Sequence, residues 1–110
     1  MICQLNNGVQ SVIELVRRYV RALEEQGIHI DDAILFGSFA KGTARDESDI
    51  DVALISEAFS GVRFDDRRRI VPLRRAIDSR LEPMPFRPEG FAGGGNLVDE
   101  IKRDGIRIEL

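Results

Sequence analysis

The residues best able to do chemistry are two aspartates two positions apart, Asp49 and Asp51, at the start of a mainly apolar run. If that run is a strand, successive side chains point to opposite faces, so the two carboxylates share one face and Ile50 points to the other. Two strand residues span about 6.6 Å, which brings both carboxylates within reach of one metal cluster. A divalent cation would relieve their mutual repulsion, and hard oxygen ligands favour magnesium or manganese.

A Gly-Ser pair, Gly37-Ser38, follows an apolar run and is separated from Asp49 by ten residues. Gly37 allows the backbone to approach a ligand closely. Ser38 offers a hydroxyl where a short helix is expected to begin, and free N–H groups at such a position suit a phosphate. Hydrogen-bond donors for phosphate on one side and metal ligands on the other predict a site for a metal-bound nucleotide.

The sequence pattern also predicts the elements that position these residues. In order they are a helix over 9–26, a strand over 33–36, a short helix from Ser38, the two-aspartate strand, a helix over 64–80, a short strand over 81–86 and a short helix over 97–103. Pro72 should kink or restart the second long helix, and Pro83 and Pro85 place the short strand at a sheet edge. Asn96 is expected to N-cap the last helix. The alternating tail, 106–110, should add an edge strand or dock on a partner.

The predicted fold class is therefore α/β, with helices packed on a small mixed β-sheet and the candidate metal site along one exposed edge. A length of 110 residues predicts one domain, 1–110, and a hydrophobic content of 43% argues against disorder. A net charge of −3 argues against broad binding to nucleic acid. Cys3 is the only cysteine, which excludes a disulfide framework, and no signal peptide or membrane span is evident. These features predict a cytoplasmic protein.

Other side chains invite functional readings that the pattern does not favour. Tyr19 could stack a base, but its place in a helical apolar stripe favours the core. His29 has no ligand-forming neighbours and is expected at the surface. The run Asp65-Asp66-Arg67-Arg68-Arg69 is interpreted as a solvated helix face with Asp65 and Arg69 paired, rather than as a nucleic-acid site.

Taken together, Gly37-Ser38, the ten-residue spacer and Asp49-Ile50-Asp51 resemble the signature of the DNA polymerase β-like nucleotidyltransferases. The short length is most similar to the minimal nucleotidyltransferases, the antitoxin partners of HEPN-domain toxins. The resemblance implies the same fold and a third carboxylate on the strand after the helix that follows the aspartates. Glu82 matches that place, with Glu89 as the substitute candidate. Its implied role is to complete the metal site and to help deprotonate the attacking hydroxyl.

The resulting mechanism is metal-assisted nucleotidyl transfer. Asp49 and Asp51, with Glu82, are expected to hold two Mg²⁺ ions about 3.5–4 Å apart, while Gly37 and Ser38 hold the β- and γ-phosphates. The resemblance implies ATP as the donor and a tyrosine of a helical HEPN-type partner as the acceptor. A partner chain or a second copy should supply the acceptor, because no segment of this chain is assigned to it. The alternative is a non-catalytic antitoxin, a binding module that neutralises its partner by occlusion.

Overall fold

The computed structural model describes the backbone of residues 3–110 and the side chains of residues 8–110, so the Cys3 side chain lies outside the described part. In chain order the elements are α1 (Cys3–Glu25), β1 (Asp32–Phe36), α2 (Ser38–Lys41), β2 (Ile50–Ile55), α3 (Arg63–Ile70), a 3₁₀ helix (Val71–Ala76), β3 (Leu81–Phe86), α4 (Pro88–Ala92), α5 (Asn96–Asp104) and β4 (Ile106–Ile108). No helix within the described residues combines the length and the hydropathy needed to cross a membrane.

The four strands form one mixed sheet in the order β3-β2-β1-β4, which confirms the predicted fold class. β1 runs antiparallel to β2 and to β4, whereas β2 and β3 are parallel. β3 is an edge strand, as its prolines predict, and Leu81, Pro83 and Pro85 are buried while the alternate residues are half-buried. The C-terminal tail forms the opposite edge through β4, which confirms one of its two predicted roles.

The larger core lies between α1 and one face of the sheet. Its buried members include Val16, Tyr19 and Leu23 of α1 together with Leu35 and Val52 of the central strands. The Tyr19 ring is 0% exposed, and its hydroxyl donates a 2.6 Å hydrogen bond to the carbonyl oxygen of Ile70 at the end of α3. The prediction that Tyr19 belongs to the core is confirmed, and its hydroxyl joins α1 to α3.

A smaller cluster covers the other face of the sheet. Phe36, Ala53 and Ile55 pack there against Ile101 of α5. The strand register aligns Phe36 with Asp51, and Asp51 with Glu82, so these side chains lie in one row on this same face. The carboxylates therefore stand at the end of the smaller apolar cluster, where β2 and β3 begin.

The helices after β2 differ in detail from the expected ones. The helix predicted over 64–80 ends at Ile70 and continues as the 3₁₀ helix, with Pro72 in its first turn. This confirms that proline restarts the helix, because its ring cannot occupy an α-helix interior. α4 was not predicted. Asn96 is the first residue of α5 and Gly95 is its N-cap, so the predicted capping role of Asn96 is wrong by one position.

Candidate active site

Asp49 and Asp51 flank the first residue of β2. Asp49 is exposed just before the strand, and Asp51 is half-buried within it. Burial raises the pKa of the Asp51 carboxyl above its ordinary value, and the negative charges of Asp49 and Glu82 raise it further. The carboxylates of Asp49, Asp51 and Glu82 thus interact electrostatically where the neighbouring strands β2 and β3 begin.

Gly37 forms the tight bend between β1 and α2 and lies directly against Asp51. Its φ of 74° lies in the left-handed region that favours glycine. A Cβ at this position would lie 3.2 Å from Asp51 Cγ and would overlap Asp51 Oδ2. Glycine is therefore required at position 37, because any side chain there would clash with the Asp51 carboxylate. Ser38 follows as the half-buried first residue of α2.

The loop from α2 to β2 is tied to neighbouring elements. Arg80 donates a 2.7 Å hydrogen bond to the carbonyl oxygen of Asp46 and pairs with Asp78 at 2.9 Å. Within the loop, the Arg45 amide donates to Ser48 Oγ at 2.8 Å. These bonds hold the segment that leads directly into Asp49. Lys41 at the end of α2 pairs with Glu100 of α5 at 3.3 Å.

Glu82 stands beside Asp51 but is engaged by two arginines. Arg67 Nη2 lies 3.3 Å from Glu82 Oε1, and Arg74 Nη1 lies 3.4 Å from Oε2. The same two guanidinium groups donate 2.9 Å hydrogen bonds to the carbonyl oxygens of Pro83 and Leu81. Arg67 and Arg74 therefore hold both the edge strand and the carboxylate that it carries.

Glu89, the substitute candidate for the third carboxylate, lies elsewhere. It is exposed on α4, and Arg87 Nε is 2.5 Å from Glu89 Oε2. This ion pair holds the pKa of the Glu89 carboxyl below its ordinary value. The electrostatic influence on Asp51 comes from Asp49 and Glu82.

The acidic residues suit a hard divalent cation by their chemistry. Carboxylate oxygens are the ligands that Mg²⁺ prefers, and a cation beside Asp51 would relieve the repulsion that raises its pKa. In the described part of the chain, however, no three Asp, Glu, His or Cys side chains are arranged to hold a metal ion as they stand. Each Glu82 carboxylate oxygen faces an arginine, Oε1 at 3.3 Å from Arg67 and Oε2 at 3.4 Å from Arg74.

The two arginines are the feature that the sequence interpretation missed. The run 65–69 was interpreted as a solvated face, but Asp66 is only 2% exposed and accepts hydrogen bonds from Ser60 N, Ser60 Oγ and Gly61 N. Arg69 donates to the carbonyl oxygen of Ala58. The spacing of Arg67 and Arg74 gave no clear signal, because α3 ends at Ile70 and Arg74 lies in the following 3₁₀ helix, so a seven-residue spacing does not place both side chains on one face.

Comparisons with known proteins identify the domain and agree with the fold. A family model described as a nucleotidyltransferase domain matches residues 13–104, a span that contains every residue of the candidate site. Among solved structures, a candidate nucleotidyltransferase from Sulfolobus solfataricus has a TM-score of 0.64 at 18% identity, over 88% of this chain and 78% of that one. A toxin–antitoxin structure with AMP-PNP has a TM-score of 0.62 at 18% identity, over 88% of this chain and 72% of that one. No curated protein matches significantly.

Proposed function

The chain belongs to the nucleotidyltransferase domain family, and on that premise we propose that it transfers the adenylyl group of ATP to a tyrosine hydroxyl of a helical HEPN-type toxin, acting as an antitoxin. The toxin–antitoxin structure that shares its fold and contains AMP-PNP supports an adenine nucleotide and a toxin partner. The proposal sets the reaction in the cytoplasm, the compartment predicted from the sequence.

The observation that carries the proposal is the contact between Gly37 and Asp51. It joins the bend expected to receive phosphates to the acid expected to receive a metal, and both lie at one end of the sheet. Glu82 stands on the neighbouring strand in register with Asp51. Nucleotidyl transfer requires a phosphate-binding bend, a metal ligand and a general base at one place. We assign these three roles to Gly37, Asp51 and Glu82.

In the proposed reaction, Asp49 and Asp51 hold divalent metal, and Glu82 joins them once it leaves its arginine partners. When bound, the metal supplies positive charge to the triphosphate and lowers the pKa of the acceptor hydroxyl. Gly37 and Ser38 hold the β- and γ-phosphates and orient the α-phosphorus. The tyrosine oxygen forms a bond to that phosphorus, the bond to the pyrophosphate oxygen breaks, and the hydroxyl proton passes to Glu82. Positioning and charge neutralisation thus account for the rate.

Transfer is tested by incubating the helical partner with this protein and MgATP and measuring the intact mass of the partner. We expect the mass to rise by one adenylyl group with the wild type and to stay unchanged with Asp49→Asn or Asp51→Asn. Circular dichroism checks that both variants remain folded. Full transfer by both variants would exclude the site.

A second candidate function is occlusion of the partner without transfer. The pairing of Glu82 with Arg67 and Arg74 favours it, because the third carboxylate is engaged in ion pairs. The same assay separates the two functions. A partner that is neutralised by the wild type and by Asp51→Asn, with no change in mass, would establish occlusion.

A further inference from the structure

An exposed apolar surface lies on α3 and the 3₁₀ helix, outside the carboxylate cluster. Phe64 is 70% exposed and Val62, just before α3, is 54% exposed. Phe64, Arg67, Arg68, Val71 and Pro72 line a shallow groove of about 550 Å³, which we call the α3 groove. Contiguous exposed apolar surface on a folded protein is typical of an interaction site or a binding groove.

The charged residues of the α3 groove are both cationic. Arg67 and Arg68 line it, and the Arg68 guanidinium lies 5.7 Å from the centre of the Phe64 ring. The charge of Arg67 is balanced by Glu82 at 3.3 Å, so the positive charge of the groove comes from Arg68 in a chain of net charge −3. A ligand that complements it presents apolar or aromatic groups together with carboxylates.

Arg67 connects the α3 groove to the candidate active site. Arg67 lines the groove and also pairs with Glu82 at 3.3 Å. Glu82 is the residue expected to take the proton of the acceptor hydroxyl. A polypeptide bound in the groove would therefore contact the arginine that pairs with the expected base.

We propose that the α3 groove docks the acceptor polypeptide through an acidic segment that bears the aromatic hydroxyl. This inference rests on the proposed function and adds the surface and the chemistry by which the acceptor is recognised. Apolar groups of the segment contact Phe64, Val71 and Pro72, and its carboxylates pair with Arg68, since Arg67 is already engaged by Glu82 and the Pro83 carbonyl oxygen. A protein fits this groove better than a nucleic acid does, because its floor is apolar and the chain as a whole is acidic.

Docking is tested by direct binding of a random copolymer of glutamate and tyrosine, measured by calorimetry without nucleotide. We expect binding by the wild type and a loss of about tenfold or more in Phe64→Ala and in Arg68→Glu. Leu110→Ala and Arg18→Glu are the matched controls. Leu110 is 57% exposed beyond β4 at the opposite edge of the sheet, Arg18 is exposed on α1, and neither variant should weaken binding.

Two results would overturn the docking proposal: absent or equal binding of the copolymer across the wild type and both groove variants, or stronger binding of a uridine oligonucleotide than of the copolymer. Asp51→Asn distinguishes this proposal from the proposed function, because it should bind the copolymer normally while losing transfer. If the wild type binds the copolymer normally but transfers no adenylyl group to the partner, the proposed enzymatic activity is contradicted and the docking proposal is not.

Discussion

The backbone of Gly37 lies against the carboxylate of Asp51, so that a Cβ on the glycine would overlap Asp51 Oδ2. We expect Gly37→Ala to abolish detectable binding of MgATP, because the added methyl group must displace the carboxylate or the bend. Calorimetric titration with MgATP measures the loss.

Gly42 provides the matched control for this prediction. Gly42 also has a positive φ, 81°, although its ψ of 15° is that of a left-handed helix whereas the ψ of Gly37 is −150°, and a Cβ at Gly42 meets nothing within 4 Å. Gly42→Ala should cost about 1–2 kcal/mol of stability through its left-handed backbone and leave MgATP binding intact. Equal loss of binding in both variants would show that backbone strain, rather than the contact with Asp51, is responsible.

Asp51→Asn should stabilise the metal-free protein at neutral pH. Burial and the charges of Asp49 and Glu82 raise the pKa of Asp51 in the folded state. The stability linked to its proton is therefore present below its unfolded pKa of about 3.9 and is lost as the pH rises through the raised folded pKa. At pH 7 the ionised group opposes folding, and the uncharged amide removes that cost.

Thermal unfolding followed by circular dichroism, with and without MgCl₂, measures this effect. Without metal, Asp51→Asn should melt above the wild type, and the difference should vanish near pH 3. MgCl₂ should raise the melting temperature of the wild type and not that of Asp51→Asn, through preferential binding to the folded state. Glu47→Gln, in the exposed loop, is the control. A lower melting temperature of metal-free Asp51→Asn at pH 7 would contradict the electrostatic account.

Glu82 and Glu89 can be separated by their effects on transfer. Glu82→Gln removes the proposed base beside Asp51 and should slow transfer about 10²- to 10⁴-fold. Glu89→Gln breaks an exposed pair with Arg87 on α4 and should leave the rate within about threefold, since such pairs contribute little. Pyrophosphate released in the presence of MgATP and the partner gives both rates. A larger loss in Glu89→Gln would assign the role to that residue.

Local patterns in the sequence are sufficient to predict the strands and the shared face of Asp51 and Glu82. Alternation places Asp51 on the face opposite Ile50 and Val52, and Glu82 on the face opposite the buried residues of β3, whose prolines mark the edge. The assignment of the chain to a family adds the class of reaction, because its model spans residues 13–104. These inferences depend on periodicity, backbone chemistry and motif spacing, all of which are local in the chain.

The interactions that local patterns could not predict join distant segments. Arg67 reaches Glu82 across fifteen positions, and Asp66 holds the Ser60 turn through its buried carboxylate. Both residues stand in a charged run whose composition is equally typical of a solvated helix. Only the packing of α3 beside β3 decides which of these charges are turned inward.

Tyr19→Phe tests the join between α1 and α3. The phenol is buried and donates to the Ile70 carbonyl oxygen at 2.6 Å, so the variant keeps the ring and leaves that carbonyl without its donor. The free energy of unfolding should fall by about 1–3 kcal/mol. Urea unfolding should show a lower midpoint with an unchanged slope. An unchanged midpoint would mean that water replaces the bond at no cost.

His29 offers a direct test of the electrostatics at the turn between α1 and β1. Its Nδ1 lies 3.0 Å from Glu24 Oε2 and its Nε2 lies 3.2 Å from Asp31 Oδ1, and its side chain is 71% exposed, as the sequence predicted. The hydrogen bond and charge of Glu24, and then the charge of Asp31, raise the pKa of His29 above its ordinary value. The stability that follows is complete below pH 6.5 and is lost as the pH rises through the raised pKa.

Because His29 is the only histidine in the sequence, its ring proton gives a single resonance in an NMR titration. We expect a pKa above 6.5 in the wild type and a clear decrease toward that value in Glu24→Gln, since the amide keeps a hydrogen-bonding oxygen but loses the charge. Glu25→Gln, one position along the same helix and also exposed, should leave the pKa unchanged. If the pKa of His29 is the same in Glu24→Gln and in Glu25→Gln, its pairing with Glu24 does not set the charge of the histidine.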